Sequence, residues 1–237
     1  MDITYSDLII IYEDNHLLVV VKPQGIPCCP DNSSQPNLLD LLKQYLIEKY
    51  NKPGDAYLGL VHRLDQPTGG VMVYAKSSKA ARRLSDNLKN RSVAKRYFAI
   101  TSSVPKSKKG ILKNALYKDN NKNMVYCVPI ATTGAKMAEL EYKVLEEFNG
   151  MALVDINLIT GRAHQARAQM AHIGSPIYGD KKYGGKSSKG EGIALWAVEL
   201  RFPHPVTKDI MVFRVHPPID ELPWKSFDIE SKLAVIK

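Results

Sequence analysis

The chain is poor in the features that would place a protein outside the cell or across a membrane. Its three cysteines include the adjacent pair Cys28-Cys29, which is neither a disulfide framework nor a zinc-ligand spacing, so a reducing, cytoplasmic setting is expected. No apolar run approaches the about 20 residues that a membrane-spanning helix needs, and no membrane partner is expected. The opening Met1-Asp2-Ile3-Thr4-Tyr5-Ser6-Asp7 is acidic and lacks the basic-then-apolar form of a secretory signal. Carboxylate clusters, His/Cys ligand spacings and a glycine-rich phosphate loop are all missing. Metal-dependent hydrolysis and kinase chemistry are therefore without their usual sequence apparatus, and no metal site is expected. Internal repeats and low-complexity tracts are also missing.

What is present is ordinary in amount and uneven in charge. With 237 residues, 44% apolar and 24% charged, the chain is long enough for a substantial core in one or two domains. Its net charge of +9 favours polyanionic partners. Lysines gather at Lys106, Lys108 and Lys109 and again at Lys181, Lys182, Lys186 and Lys189, in stretches that read as loops. Basic loops suit a phosphate backbone, and they are also what a solvated surface looks like.

Hydrophobic periodicity gives the elements. Leu8 to Tyr12 and Leu17 to Val21 read as a hairpin around Glu-Asp-Asn-His. Leu38, Leu41, Leu42, Tyr45 and Leu46 follow helical spacing after Pro36-Asn37, and Asn51-Lys52-Pro53-Gly54-Asp55 ends that helix. Ser77-Ser78 cap a second helix through Lys89, with Ala81, Leu84 and Leu88 on one side. Strands are expected at Val71 to Ala75, Val93 to Thr101, Ile111 to Tyr117, Met124 to Val128, Ala138 to Glu146, Met151 to Ile159, Ile193 to Phe202 and Ile210 to Val215. Asn149-Gly150 is a hairpin turn. Ala163 to Ile173 reads as a helix closed by Gly174 and Pro176. Strands dominate, many joined as hairpins, so the class is α+β with a mixed, largely antiparallel sheet and flanking helices.

Three segments carry chemistry. His62-Arg63-Leu64-Asp65-Gln66-Pro67-Thr68-Gly69-Gly70 puts an imidazole, a guanidinium and a carboxylate into four residues before a sharp turn. A carboxylate at the edge of a core, beside fixed cations, is where reactions tend to be placed. Such a turn can equally be structural. A kinase catalytic loop also contains His-Arg-Asp, but there the Asp follows Arg directly. The second segment is Val93-Ala94-Lys95-Arg96-Tyr97-Phe98-Ala99-Ile100, where period two puts Lys95, Tyr97 and Ala99 on one face. The third runs from Thr160-Gly161-Arg162-Ala163-His164-Gln165-Ala166-Arg167 to Gly174-Ser175-Pro176-Ile177-Tyr178-Gly179-Asp180.

With these segments in this order, the chain resembles the RluA-type family of RNA pseudouridine synthases. The family pattern is HRLD-x-x-T-S-G, then K-x-Y-x-A, then GR-x-HQ-x-R and IG-x-P-I-x-GD-x-x-YG. The likeness runs from Ile11 to about Pro217 and takes in Lys22-Pro23, Leu195-Trp196-Ala197 and Phe202-Pro203-His204-Pro205. Gly69 stands where the family usually has Ser, Val21 where Asn is common, and Trp196 where His is common.

The resemblance implies a pseudouridine synthase catalytic fold with its cleft across the sheet. It also implies an isomerase that turns uridine into pseudouridine in ribosomal or transfer RNA. That reaction breaks a carbon–nitrogen glycosidic bond, rotates the base and forms a carbon–carbon bond; it is redox-neutral, so no cofactor is expected. It implies Asp65 as the essential carboxylate, Tyr97 as the aromatic against the uracil, and Arg167 as the cation that favours the ionised carboxylate. Arg63 is implied to occupy the gap left by the flipped base, and Leu195 to line the uracil pocket. His62, Arg162, His164 and Gln165 are expected to order the loop and helix around the substrate. A single catalytic domain over residues 1–237 is expected, working as a monomer, since a hairpin beginning at Leu8 leaves no room for a separate RNA-binding domain before it. The rival class is a non-catalytic RNA-binding or ribosome-assembly factor of the same fold.

Overall fold

The structure is a computed structural model that describes residues 3–31, 35–188 and 191–236; Lys189, among the basic loop residues, lies outside the described residues. In chain order the strands are β1 (Ile9–Glu13), β2 (Leu17–Lys22), β3 (Gly59–Leu60), β4 (Gly69–Ala75), β5 (Ala94–Thr101), β6 (Lys109–Asp119), β7 (Met124–Val128), β8 (Lys136–Phe148), β9 (Met151–Leu158), β10 (Leu195–Pro203) and β11 (Ile210–Arg214). The α-helices are α1 (Leu38–Tyr50), α2 (Ser78–Lys89), α3 (Gln165–His172) and α4 (Ile229–Ala234). This is the expected class, α+β with a largely antiparallel sheet and few helices. No helix among the described residues is long and apolar enough to cross a membrane.

The chain divides into two compact units, residues 1–93 with 199–215, and residues 94–198 with 216–237. In the first unit, β1 and β2 form the expected hairpin. β2 pairs antiparallel with β4, from Leu17↔Ala75 to Lys22↔Gly70, and every residue of β4 is buried. Helix α1 starts where the sequence puts it. The Asn37 side chain accepts the Asp40 N–H at 3.1 Å, Leu38, Leu41, Leu42 and Leu46 are buried, and Asn51 ends the helix in the left-handed region at φ 46°. Each buried leucine contributes about 2 kcal/mol of transfer free energy. The carboxylate of Glu13 ties α1 to the strands, accepting from Tyr45 Oη (2.8 Å), Lys49 Nζ (2.7 Å), Tyr50 Oη (2.7 Å) and Lys76 Nζ (2.6 Å). Helix α2 is capped by Ser77 Oγ, which accepts the Ala80 N–H at 3.2 Å. Its fully buried residues are Ala80 and Leu84; Ala81 and Leu88, expected beside Leu84, are only partly covered.

In the second unit the strand order β5-β9-β8-β6-β7 is antiparallel throughout. Phe98, Ile100, Leu140, Val154 and Ile156 are fully buried in it. Asn149 (φ 48°) and Gly150 (φ 75°) make the tight turn between β8 and β9, as Asn-Gly predicts. Several boundaries differ from the sequence reading by one or two residues, β3 and α4 were not expected, and two of the shifts have a clear physical cause. β6 begins at Lys109 rather than Ile111, because Lys109 pairs with Lys143 and Gly110 with Tyr142. A Cβ on Gly110 would stand 2.9 Å from the Tyr142 ring, so this glycine admits the aromatic side chain across the ladder. α3 begins at Gln165 rather than Ala163, because His164 takes the left-handed conformation at φ 48°, ψ 22°.

Candidate active site

The turn that carries Asp65 lies in the first unit, between β3 and β4, and it is pinned by its neighbours' backbone groups. The Thr68 N–H donates to Asp65 C=O at 2.9 Å, which closes the turn. On the N-terminal side, the apolar Leu64 is buried; its N–H donates to Cys28 Sγ (3.4 Å), and the Cys28 thiol donates back to Leu64 C=O (3.2 Å). On the C-terminal side, the Gly25 N–H donates to Gln66 C=O (2.9 Å) and Gln24 Nε2 to Pro67 C=O (2.9 Å). Lys22 at the end of β2 is fully buried, and its ammonium donates to the carbonyls of Pro23 (3.0 Å), Gln66 (2.9 Å) and Thr68 (2.8 Å). Burial pushes Lys22 down to about 8, while the nearby Cys28 and Asp65 pull it the other way. Backbone held on both sides of a half-buried carboxylate is what a preorganised acid–base or nucleophilic group needs.

The other first-unit candidates flank this turn. His62 receives the Val73 N–H on Nε2 at 3.1 Å, a bond that joins the start of the turn to β4 and leaves the ring proton on Nδ1. Arg63 is exposed. Gly70, at φ 123°, occupies a backbone conformation that L side chains rarely adopt, just where the turn enters β4.

The second unit carries Tyr97, Arg162, His164, Gln165, Arg167 and Leu195. Tyr97 is buried on β5 opposite Ile156 of β9, and Leu195 is buried at the start of β10. Arg96, on the other face of β5, pairs with Asp155 at 3.2 Å. Gln165 is buried and organises the loop before α3: its Oε1 accepts from Thr160 Oγ1 (2.8 Å) and the Arg162 N–H (3.0 Å), and its Nε2 donates to Glu139 C=O (2.9 Å). Arg162 Nε donates to Met137 C=O at 3.0 Å.

One turn into α3, Arg167 is buried and makes a two-pronged contact with Asp180, Nε to Oδ2 at 2.7 Å and Nη2 to Oδ1 at 2.8 Å. Its guanidinium carbon lies 5.1 Å from the Tyr183 ring centre. The Tyr183 hydroxyl accepts the Val125 N–H (2.9 Å) and sits 2.9 Å from His164 Nδ1, so that imidazole is tied to β7 through the tyrosine. A helix running from Ala163 would put His164 and Arg167, three residues apart, on one face. The left-handed backbone at His164 places it outside the helix, and its partner is Tyr183.

Sequence reasoning gave no role to Lys22, Cys28, Lys95, Asp180 or Tyr183. Lys22, Lys95, Asp180 and Tyr183 all lie inside motifs it had singled out, so position within a motif was the available signal. Among the described residues no group of three or more His, Cys, Asp or Glu side chains could hold a metal ion.

Residues 16–172 match the family model described as RNA pseudouridylate synthase. The chain is 33% identical over 219 residues to the uncharacterized RNA pseudouridine synthase YhcT of Bacillus subtilis (strain 168), covering 91% of this chain and 70% of that protein. It is 31% identical over 210 residues to the ribosomal large subunit pseudouridine synthase C of Vibrio vulnificus (strain CMCP6), covering 86% and 64%. Among solved structures, human RNA pseudouridylate synthase domain containing 4 superposes with a TM-score of 0.74 at 26% identity, over 89% of this chain and 88% of that one.

Proposed function

The chain belongs to the RluA-type family of RNA pseudouridine synthases and is an isomerase, and from that premise we propose that it converts specific uridines of large-subunit ribosomal RNA to pseudouridine. The ribosomal substrate is inferred from the relatives named for the large subunit; transfer RNA is the competing substrate, which the test below separates. We assign Asp65, Tyr97 and Arg167 as the catalytic residues.

The observation that carries the reading is the Asp65 turn, with backbone hydrogen bonds on either side of a half-buried carboxylate. The reaction breaks the bond between the sugar C1′ and uracil N1, rotates the ring and joins C1′ to C5; C5 loses its proton and N1 gains one. No electrons are gained or lost. Asp65 serves as nucleophile or as the base that opens a glycal-type intermediate; both routes need an ionised carboxylate that does not wander. In this proposal Arg167 is the cation that favours the ionised form, with its own plane set by Asp180 and Tyr183. Tyr97 stacks on the uracil, Leu195 lines its pocket, and Arg63 fills the vacated stack when the base is flipped. His62, Arg162, His164 and Gln165 order the surrounding segments. We further assign the protein to the cytoplasm, acting as a monomer and as a single catalytic domain; its three cysteines stand as free thiols.

The test is a map of pseudouridines in ribosomal and transfer RNA from cells lacking the gene, restored with wild type or with Asp65→Asn. Loss of specific ribosomal sites that wild type restores and Asp65→Asn does not is the expected result. Sites lost only from transfer RNA would move the substrate; sites restored by Asp65→Asn would remove the carboxylate from the mechanism.

A further inference from the structure

Among the described residues, burial lowers the proton affinity of two lysines, the fully buried Lys22 and the half-buried Lys95. Lys22 has three carbonyl acceptors. Lys95 has none: among the described residues its Nζ makes no hydrogen bond and no ion pair, and burial alone lowers its proton affinity. A buried cation without a counter-group costs free energy. The arrangement around it is built rather than loose. Lys95 shares a face of β5 with Tyr97, two residues on. Its Nζ lies over Gly161, where a Cβ would stand 2.7 Å away, so the missing side chain makes the room the ammonium occupies. The loop beneath is fixed by Thr160 on Glu139 (2.9 Å) and Arg162 on Met137 (3.0 Å).

We propose that Lys95 is a phosphate-binding residue, whose ammonium over Gly161 receives a phosphodiester oxygen of the RNA next to the uridine that Tyr97 contacts. The inference rests on the reading of the protein as an RNA pseudouridine synthase with Tyr97 at the base. A polyanionic substrate supplies the counter-charge that the protein leaves out. Because the ammonium is partly withdrawn from solvent, salt screens it less than the exposed loop lysines, of which Lys108 is already engaged by Glu147. Lys95 and Gly161 thereby form one unit of recognition drawn from two separate motifs.

The test uses the purified full chain and an end-labelled fragment of large-subunit ribosomal RNA that contains a mapped target uridine, with affinity measured across a potassium chloride series. Lys95→Met is expected to lower the slope of log affinity against log salt by about one and to weaken binding about 5- to 10-fold near physiological salt. Lys95→Arg, which keeps the charge, should recover most of it. Gly161→Ala, which crowds the ammonium, should reproduce the loss and add nothing in the Lys95→Met background. An unchanged salt slope in a folded Lys95→Met protein, or full additivity with Gly161→Ala, overturns the proposal. If Lys95→Met fails to fold, Lys95→Gln, which removes the charge and keeps a polar end, decides by the same slope. Should wild type bind the fragment with a Lys95-dependent slope and form no pseudouridine, the enzymatic reading fails while the phosphate contact stands.

Discussion

The turn around Asp65 rests on Lys22, which is fully buried, and β5 carries Lys95, which is half-buried beside Gly161; the two lysines are treated in opposite ways. Lys22 is fully enclosed and its three protons meet three backbone carbonyls, two of them belonging to the turn itself. Lys95 is left without a partner among the described residues, over a glycine that clears its path. The first arrangement spends a cation on internal order, since one ammonium joins carbonyls from two separate segments of the chain. The second holds a cation ready for something outside the chain. The lesson is that a buried lysine is read by its acceptors rather than by its burial. A third cation, Arg167, is held by a carboxylate instead, through Nε and Nη2 to Asp180.

The largest expected effect falls on the group that the first region holds in place. Asp65→Asn should lower single-turnover pseudouridine formation by roughly a thousandfold or more while RNA affinity stays within a few-fold, because one carboxylate matters little among many phosphate contacts. Near-wild-type turnover in the purified variant would break the contrast at its root.

Stability separates the two lysines next. Lys22→Met removes a donor from the carbonyls of Pro23, Gln66 and Thr68 and should cost about 3 kcal/mol, lowering the melting temperature by roughly 6–12 °C. Lys95→Met should leave the melting temperature unchanged or slightly raised, since it removes an uncompensated charge. The pH dependence gives a second reading. Lys22 releases its proton at about 8 in the folded chain against the ordinary 10.5, so between those values the unfolded chain binds more protons and stability gains with rising pH. Denaturant titrations of Lys22→Met at pH 7.5 and 9.5 should lack that gain; equal losses in both lysine variants would mean that the carbonyl cage has no special weight.

A smaller effect is expected at Glu13, the carboxylate counterpart of Lys22. Burial opposes its ionisation, but hydrogen bonds from Lys49, Lys76, Tyr50 and Tyr45 outweigh this and hold it at about 2 against the ordinary 4.5. The folded chain therefore binds fewer protons than the unfolded one between those values. The stabilisation is complete above about pH 5 and is lost as pH falls towards 2. Denaturant midpoints of wild type and Glu13→Gln should lie apart at pH 6 and draw together as pH falls from 4.5 towards 2; a constant gap would show that the cluster acts through packing alone. Smallest of all is the exposed pair Lys43–Asp55 at 2.8 Å, where Lys43→Ala should leave the melting temperature unchanged within error.

Much of this was legible in the sequence because the signals are local. The leucine spacing of α1 and its cap at Asn37, the Ser77 cap of α2, the limits of β7 and the Asn149-Gly150 turn depend on residues within one or two turns of each other. The start of α3 was not, because the bonds that hold the preceding loop come from Glu139 and Tyr183, some 26 and 19 residues away from Gln165 and His164. The early start of β6 depends likewise on its pairing with β8.

The candidate site divides along the same line. The order and spacing of the motifs, read from the chain alone, determined the family and named Asp65, Tyr97 and Arg167, since those residue types recur at set intervals. Only the tertiary structure decided which cation does what. Lys22 and Lys95 both flank apolar strand residues and look alike in sequence. Whether an ammonium finds three carbonyls or none depends on groups brought together from distant segments, and hydrogen bonds act over about 3 Å whatever the distance along the chain.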